Sequence, residues 1–187
     1  VGRFGAAVEL PVSAVLDDGY GDPADTVRRA IGVGVIGANV EDRLKPLAEA
    51  AADVEAMVAA GAAEGVPFVL NARTDAIVRG GDRPLADKLA DAVERGRAYM
   101  AAGASCVFVP GILDADATKV LVDGIGWGNV SVIGLIGALS AAEYEALGVA
   151  RISYGPTTQR VALTTLQDLA TSLYGDGVIP AETRTLN

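Results

Sequence analysis

The sequence predicts an α/β fold, a parallel β/α barrel of the TIM type with about six of its eight β–α units present. Three features carry this reading. Short runs rich in Val, Ile and Leu alternate six times with longer amphipathic runs, the pattern of a parallel sheet with helical cover. The short runs are nearly continuous in apolar residues, as strands buried on both faces are. Several amphipathic runs end in Ala-Gly or Leu-Gly and pass straight into the next strand. Such tight connections suit a barrel or a doubly wound sheet.

Pro11 to Leu16 reads as the first strand, followed by the turn DDGYGD and a helix over residues 22–33 with Pro23 in its first turn. Gly34 to Val40 is the second strand. The next helix covers residues 46–64 and places Leu47, Ala51, Val54 and Val58 on one face. Val66 to Ala72 is the third strand. A helix over residues 83–102 aligns Leu85, Leu89, Val93 and Gly96, and Gly103 closes it. Ser105 to Val109 is the fourth strand, with a helix over residues 115–123. Residues 130–135 form the fifth strand, and a short helix from Ser140 to Leu147 opens on a capping box of Ser140 and Glu143. Val149 to Ser153 is the sixth strand, and residues 157–173 the last helix. Residues 1–187 are read as one partial barrel domain, with 174–187 as a C-terminal tail. Val1 to Leu10 reads as the end of a helix, and the chain starts with Val, so either the sheet is open or two preceding units are missing.

Half of the residues, 51%, are hydrophobic, yet there are only five Tyr, three Phe and one Trp. The core must therefore be aliphatic. The net charge of −9 argues against nucleic acid and anionic membranes as partners, because no basic cluster meets phosphate. A single cysteine rules out an internal disulfide and fits a reducing cytoplasm. With no histidine in the chain, Ser-His-Asp triads, Cys-His pairs and His-ligated zinc are excluded. Acid–base work falls to Asp, Glu, Lys, Tyr or water.

In parallel β/α barrels the active site lies at the C-terminal strand ends. Here those ends carry Asp17, Asp18, Gly19, Tyr20 and Gly21; then Asn39, Glu41, Asp42 and Arg43; then Asn71, Arg73 and Asp75. Asp17, Glu41 and Arg73 are the candidates for a shared rim. Carboxylates in this pattern suit Mg2+, and an Arg beside them can hold a substrate carboxylate with two hydrogen bonds. Asp18, Asp22 and Asp42 read as turn formers and helix caps. Arg28, Arg29, Arg95 and Arg97 read as solvated outer faces, and Trp127 as a packed loop residue in preference to a surface anchor. Gly32 to Gly37 matches G-x-G-x-x-G but leads into a strand, so the dinucleotide context fails.

The segments PVSAVLDDGYGDPADTVRRAI, GANVEDR, VPFVLNARTD, RGRAYMAAGASCVFVPG and LGVARISYGP resemble the isocitrate lyase/phosphoenolpyruvate mutase family. They are most similar to its short-looped, carboxyvinyl-carboxyphosphonate phosphorylmutase-like members. The resemblance implies a β/α barrel whose last helix is exchanged between subunits of a dimer within a tetramer. It implies Mg2+-dependent making or breaking of a C–C or P–C bond beside a carboxylate, through an enolate-like intermediate. By the same resemblance, Asp17 and Glu41 belong to the metal shell, and Arg73 binds the anionic substrate. Gly19, Tyr20 and Gly21 shape the pocket floor, and Asn39 lies in the substrate site.

Three departures stand out. Val15 occupies the position of the family's direct metal ligand. The family's first two strands have no counterpart. Arg43-Leu44-Lys45-Pro46 stands where the lyase branch carries its cysteine loop, and Cys106 falls inside a strand, which argues against isocitrate or methylisocitrate cleavage. Two functions follow: a lyase or mutase acting on a small 2-oxo or phosphono acid, or an inactive remnant of that family.

Overall fold

The computed structural model describes residues 2–185. Residues 2–10 form a single helical turn, α1 (Gly2–Gly5), before a bend; Val1 lies outside the described residues. Six strands follow, β1 (Val12–Val15), β2 (Val35–Glu41), β3 (Val69–Arg73), β4 (Cys106–Phe108), β5 (Val130–Ile133) and β6 (Val149–Ser153). Between and after them run α2 (Pro23–Ile31), α3 (Leu47–Ala63), α4 (Leu85–Ala101), α5 (Ala115–Ile125), α6 (Ala141–Ala146) and α7 (Thr157–Gly175). No described helix is long and apolar enough to cross a membrane.

The chain divides into two compact units, 1–153 and 154–187. In the first, every strand pairs in parallel with its sequence neighbour, in the order β1-β2-β3-β4-β5-β6. Parallel crossovers are right-handed. A strand order that never reverses therefore puts every crossover helix on the same side of the sheet. That is the partial parallel β/α barrel expected from the sequence; a doubly wound sheet would reverse its order. The second unit holds α7 and the residues after it. The tail read as starting at 174 begins two residues later, because α7 runs on to Gly175; residues 186 and 187 lie outside the described residues.

The core is built between the strands and the crossover helices. Val35, Ala38 and Val40 of β2, Leu70 and Ala72 of β3, and Val107 of β4 are buried with Val54 and Met57 of α3 and Leu89, Ala92 and Tyr99 of α4. Burying each of the larger aliphatic side chains contributes about 1.5–3 kcal/mol. The helix faces read in the sequence pack inward at Val54, Leu89 and Gly96, with Val93 half-buried beside them. Helix α3 buries Ala50, Val54, Met57, Ala60 and Gly61, and Leu47 and Val58 pack half-buried against the same core. Helix α4 buries Leu89, Ala92, Arg95, Gly96 and Tyr99 and leaves Leu85 exposed.

Two further readings are corrected. Arg95 is not on a solvated face but is buried. Trp127 is 71% exposed, with its ring laid against Gly148, where any Cβ would collide with it. Strand β3 also starts three residues later than expected. Val66 donates to Gly61 and Phe68 to Val66, and Pro67 has no N–H to donate, so ladder pairing begins only at Val69.

Candidate functional site

The C-terminal ends of β1, β2 and β3 form one rim, fixed by strand register. Glu41 lies opposite Arg73 in the β2–β3 ladder, and Asn39 opposite Asn71. The β1 end is stitched on by the backbone: Glu41 N–H donates to the Asp17 carbonyl at 2.7 Å, and Leu16 N–H to Asn39 at 3.0 Å.

Glu41 is the centre. Its Oε2 meets Arg73 Nη1 at 2.7 Å, while Oε1 meets Arg43 Nε at 3.2 Å and lies 3.7 Å from Arg79 Nη2. Arg73 is itself held from behind by Asp75, whose Oδ1 accepts from its Nε at 2.7 Å. The other oxygen of Asp75 accepts from Arg79 Nε at 2.8 Å. Asp75 is fully buried, so it anchors two guanidiniums that face the mouth. Burial lifts the Glu41 carboxyl above its ordinary value of 4.5; Arg73 pulls it down, and Asp75 pushes it further up.

Asp17 reaches the same cluster through Arg43, whose Nη2 donates to Asp17 Oδ1 at 2.8 Å. This bond is the main reason the Asp17 carboxyl sits below its ordinary value of 3.8. Asp18 adds a third acceptor for Arg43, at 3.2 Å from Nη1. Asp17 and Arg43 are both in the left-handed backbone region, as are Tyr20 and Leu44. Four such non-glycine residues at one rim are uncommon and cluster at functional sites.

The other residues read from the sequence take varied places. Gly19 and Gly21 have φ of 86° and 92° and make the turn between β1 and α2. Thr26 of α2 donates to the Gly19 carbonyl at 2.7 Å, and Asp22 caps α2 through Asp25 N–H at 2.9 Å. The Tyr20 side chain is exposed. Asn39 Oδ1 accepts from Asn71 Nδ2 at 3.4 Å, one step down the ladders from the Glu41–Arg73 pair. Val15 is 71% exposed and offers the rim no oxygen.

Asp42 does more than form a turn. It accepts from the N–H of Leu44 at 2.9 Å and of Asp75 at 3.0 Å. Its other oxygen accepts from Tyr99 at 2.5 Å and from Arg95 at 3.2 Å. This buried carboxylate therefore ties the loop after β2 to the loop after β3 and to α4. Sequence reasoning did not single out Arg79 or Tyr99, and it read Arg95 as solvated. The signals for them were local: Arg79 follows Asp75 by four residues, and Arg95 and Tyr99 fall on the apolar stripe of α4 at the same spacing.

A cavity of about 20 Å3 lies beneath the rim, lined in part by Glu41, Asp42, Arg73 and Tyr99. It has room for one water.

The family model for phosphoenolpyruvate phosphomutase matches residues 1–174. The chain is 31% identical over 180 residues to "Probable 2-methylisocitrate lyase 1" of Corynebacterium glutamicum, covering 86% of this chain but only 56% of that protein. The structure of oxaloacetate acetylhydrolase with its product oxalate matches with a TM-score of 0.78 and 25% identity, over 91% of this chain and 62% of that one. Phosphonopyruvate hydrolase, in complex with oxalate and Mg2+, matches in fold with a TM-score of 0.78 over 100% of this chain and 68% of that one, at 24% identity.

Proposed function

The chain belongs to the phosphoenolpyruvate phosphomutase family, and from that premise we propose that its rim is the substrate site of a lyase or mutase acting on a small 2-oxo or phosphono acid. The observation that carries this reading is the 2.7 Å contact between Glu41 and Arg73 at paired positions of neighbouring strands. Arg79, half exposed, is the guanidinium best placed to take a substrate carboxylate, and Arg73 lies beside it. Breaking a C–C or P–C bond next to a 2-oxo acid builds negative charge on an enolate oxygen. Fixed cations aimed at that oxygen lower the barrier without reorganising. Asp75 holds both guanidiniums at its two oxygens, which fixes the orientation such stabilisation needs.

As the side chains stand, they do not fit a divalent metal. Asp17, Asp18 and Glu41 are each bonded to Arg43, and both Glu41 oxygens meet guanidiniums. Val15 supplies no donor. Among the described residues, no three acidic, His or Cys side chains are grouped to hold a metal ion. The same facts favour a second reading, a rim that binds the acid but does not turn it over.

Calorimetric titration with oxalate, followed by assays for pyruvate from oxaloacetate and phosphonopyruvate, separates these readings. Binding weakened about tenfold or more in Arg79→Ala, with turnover, supports the enzyme. Binding without turnover supports the silent site. No oxalate binding at all removes both.

Two wider features belong to the same proposal. Helix α7 has no buried residue and exposes Val161, Leu163 and Leu166, which supports homo-oligomerisation through this helix; sedimentation of the chain tests it, and a monomer would refute it. One buried thiol suits a reducing compartment, the cytoplasm.

A further inference from the structure

We propose that Arg43 is the resident cation of this rim, its guanidinium standing among Asp17, Asp18 and Glu41 in place of a divalent metal. The inference rests on reading the rim as the substrate site. Each of the three guanidinium nitrogens goes to a different carboxylate: Nη2 to Asp17 at 2.8 Å, Nη1 to Asp18 at 3.2 Å and Nε to Glu41 at 3.2 Å. A planar fork that keeps its charge at every accessible pH is suited to such a three-way bridge.

The backbone is built to put it there. Arg43 and Leu44 are consecutive non-glycine residues in the left-handed region, with φ of 47° and 58°. A pair like this persists only where its surroundings hold it. Asp42 holds the near side through Leu44 N–H, and its carbonyl accepts from Lys45 N–H at 2.9 Å. On the far side, Arg95 donates to the Lys45 carbonyl at 3.0 Å, and the Lys45 ammonium pairs with Asp53 of α3 at 2.5 Å. The loop after β2 is thus clamped to α3 and α4, and the turn it is forced into folds Arg43 back over the carboxylates.

Asp17, also left-handed with φ of 54°, presents its carboxylate to Arg43 from just beyond the end of β1. A divalent cation entering this triangle would have to displace the guanidinium or stand against its charge. Val15, at the end of β1, adds no carboxylate to favour the exchange.

Titration of the 187-residue chain with Mn2+, followed by loss of the free-ion paramagnetic resonance signal, tests this. The parent and Arg43→Lys should leave Mn2+ free. Arg43→Ala should bind it about tenfold or more tighter than the parent, and adding Val15→Asp should tighten it again. Thermal melts of each variant confirm that it is folded. Mn2+ binding by the parent equal to that of Arg43→Ala overturns the proposal, as does the absence of Mn2+ binding in both folded Arg43→Ala proteins. Oxalate titration in the presence of a chelator reads the substrate site separately. If no variant binds oxalate while the Mn2+ pattern holds, the substrate-site reading fails and the placement of Arg43 stands.

Discussion

Asp42 and Tyr99, 57 residues apart, share a 2.5 Å hydrogen bond in which the phenol donates to the carboxylate. Arg95 joins them at 3.2 Å, so a charged pair and a phenol are buried together behind the rim. Burial, aided by the Asp42 hydrogen bond, pushes the Tyr99 hydroxyl up in pKa, which keeps it a donor. Tyr99→Phe removes one of four bonds to a buried carboxylate and should cost about 1–3 kcal/mol. Asp42→Ala leaves Arg95 short of its partner and frees Leu44 and Asp75 N–H groups, and should cost about 3–5 kcal/mol. Urea unfolding measures both. A Tyr99→Phe protein as stable as the parent would show that the bond carries no net stability.

The order of elements and the position of the rim were legible in the sequence, because both follow from local patterns. Apolar runs mark strands, and polar residues at their C-terminal ends mark the mouth. What was not legible arises from contacts between distant segments. Arg95 looks solvated when read alone, because the acid that buries it lies 53 residues earlier. Arg43 looks like a loop residue until the left-handed turn at 43–44 folds it onto Asp17. Strand β3 was misplaced for a local reason, the missing N–H of Pro67, which could have been weighed from the sequence.

The turn between β1 and α2 separates two kinds of glycine. Gly21 is left-handed with nothing within 4 Å of a would-be Cβ, whereas a Cβ on Gly19 would lie 2.7 Å from Pro23. Gly21→Ala should therefore cost only backbone strain, about 1–2 kcal/mol. Gly19→Ala should add a steric cost of about 1–3 kcal/mol and disturb Thr26, which bonds the Gly19 carbonyl. Thermal or urea unfolding of the pair should rank them in that order. Equal losses would mean that the turn moves to make room.

Cys106 lies in β4, buried, with its thiol donating to the Asn129 carbonyl at 3.2 Å. Burial pushes the thiol above its ordinary value of 9.0, so little thiolate exists at neutral pH. An aromatic disulfide reagent should leave the native chain unmodified and label it stoichiometrically in denaturant. Rapid labelling of the folded protein would contradict the burial of β4.

The rim should give stability an unusual pH dependence. Glu41, 10% exposed at its side chain, has its folded pKa raised above 4.5, first by burial and then by Asp75, against the pull of Arg73. The folded state then holds a proton that the unfolded chain has released. Its stabilising effect is full below pH 4.5 and is lost as pH rises through the folded value. Asp17 runs the other way: its lowered pKa, due mainly to Arg43, gives stability present above 3.8 and lost as pH falls through the folded value. Between these effects the unfolding free energy should peak near the acid end and decline just above pH 4.5. Glu41→Gln should flatten that decline, while Arg43→Ala should remove the loss on the acid side by returning Asp17 towards its ordinary value. Urea unfolding at a series of pH values measures both slopes. An unchanged decline in Glu41→Gln would mean that the three guanidiniums around Glu41 outweigh its burial.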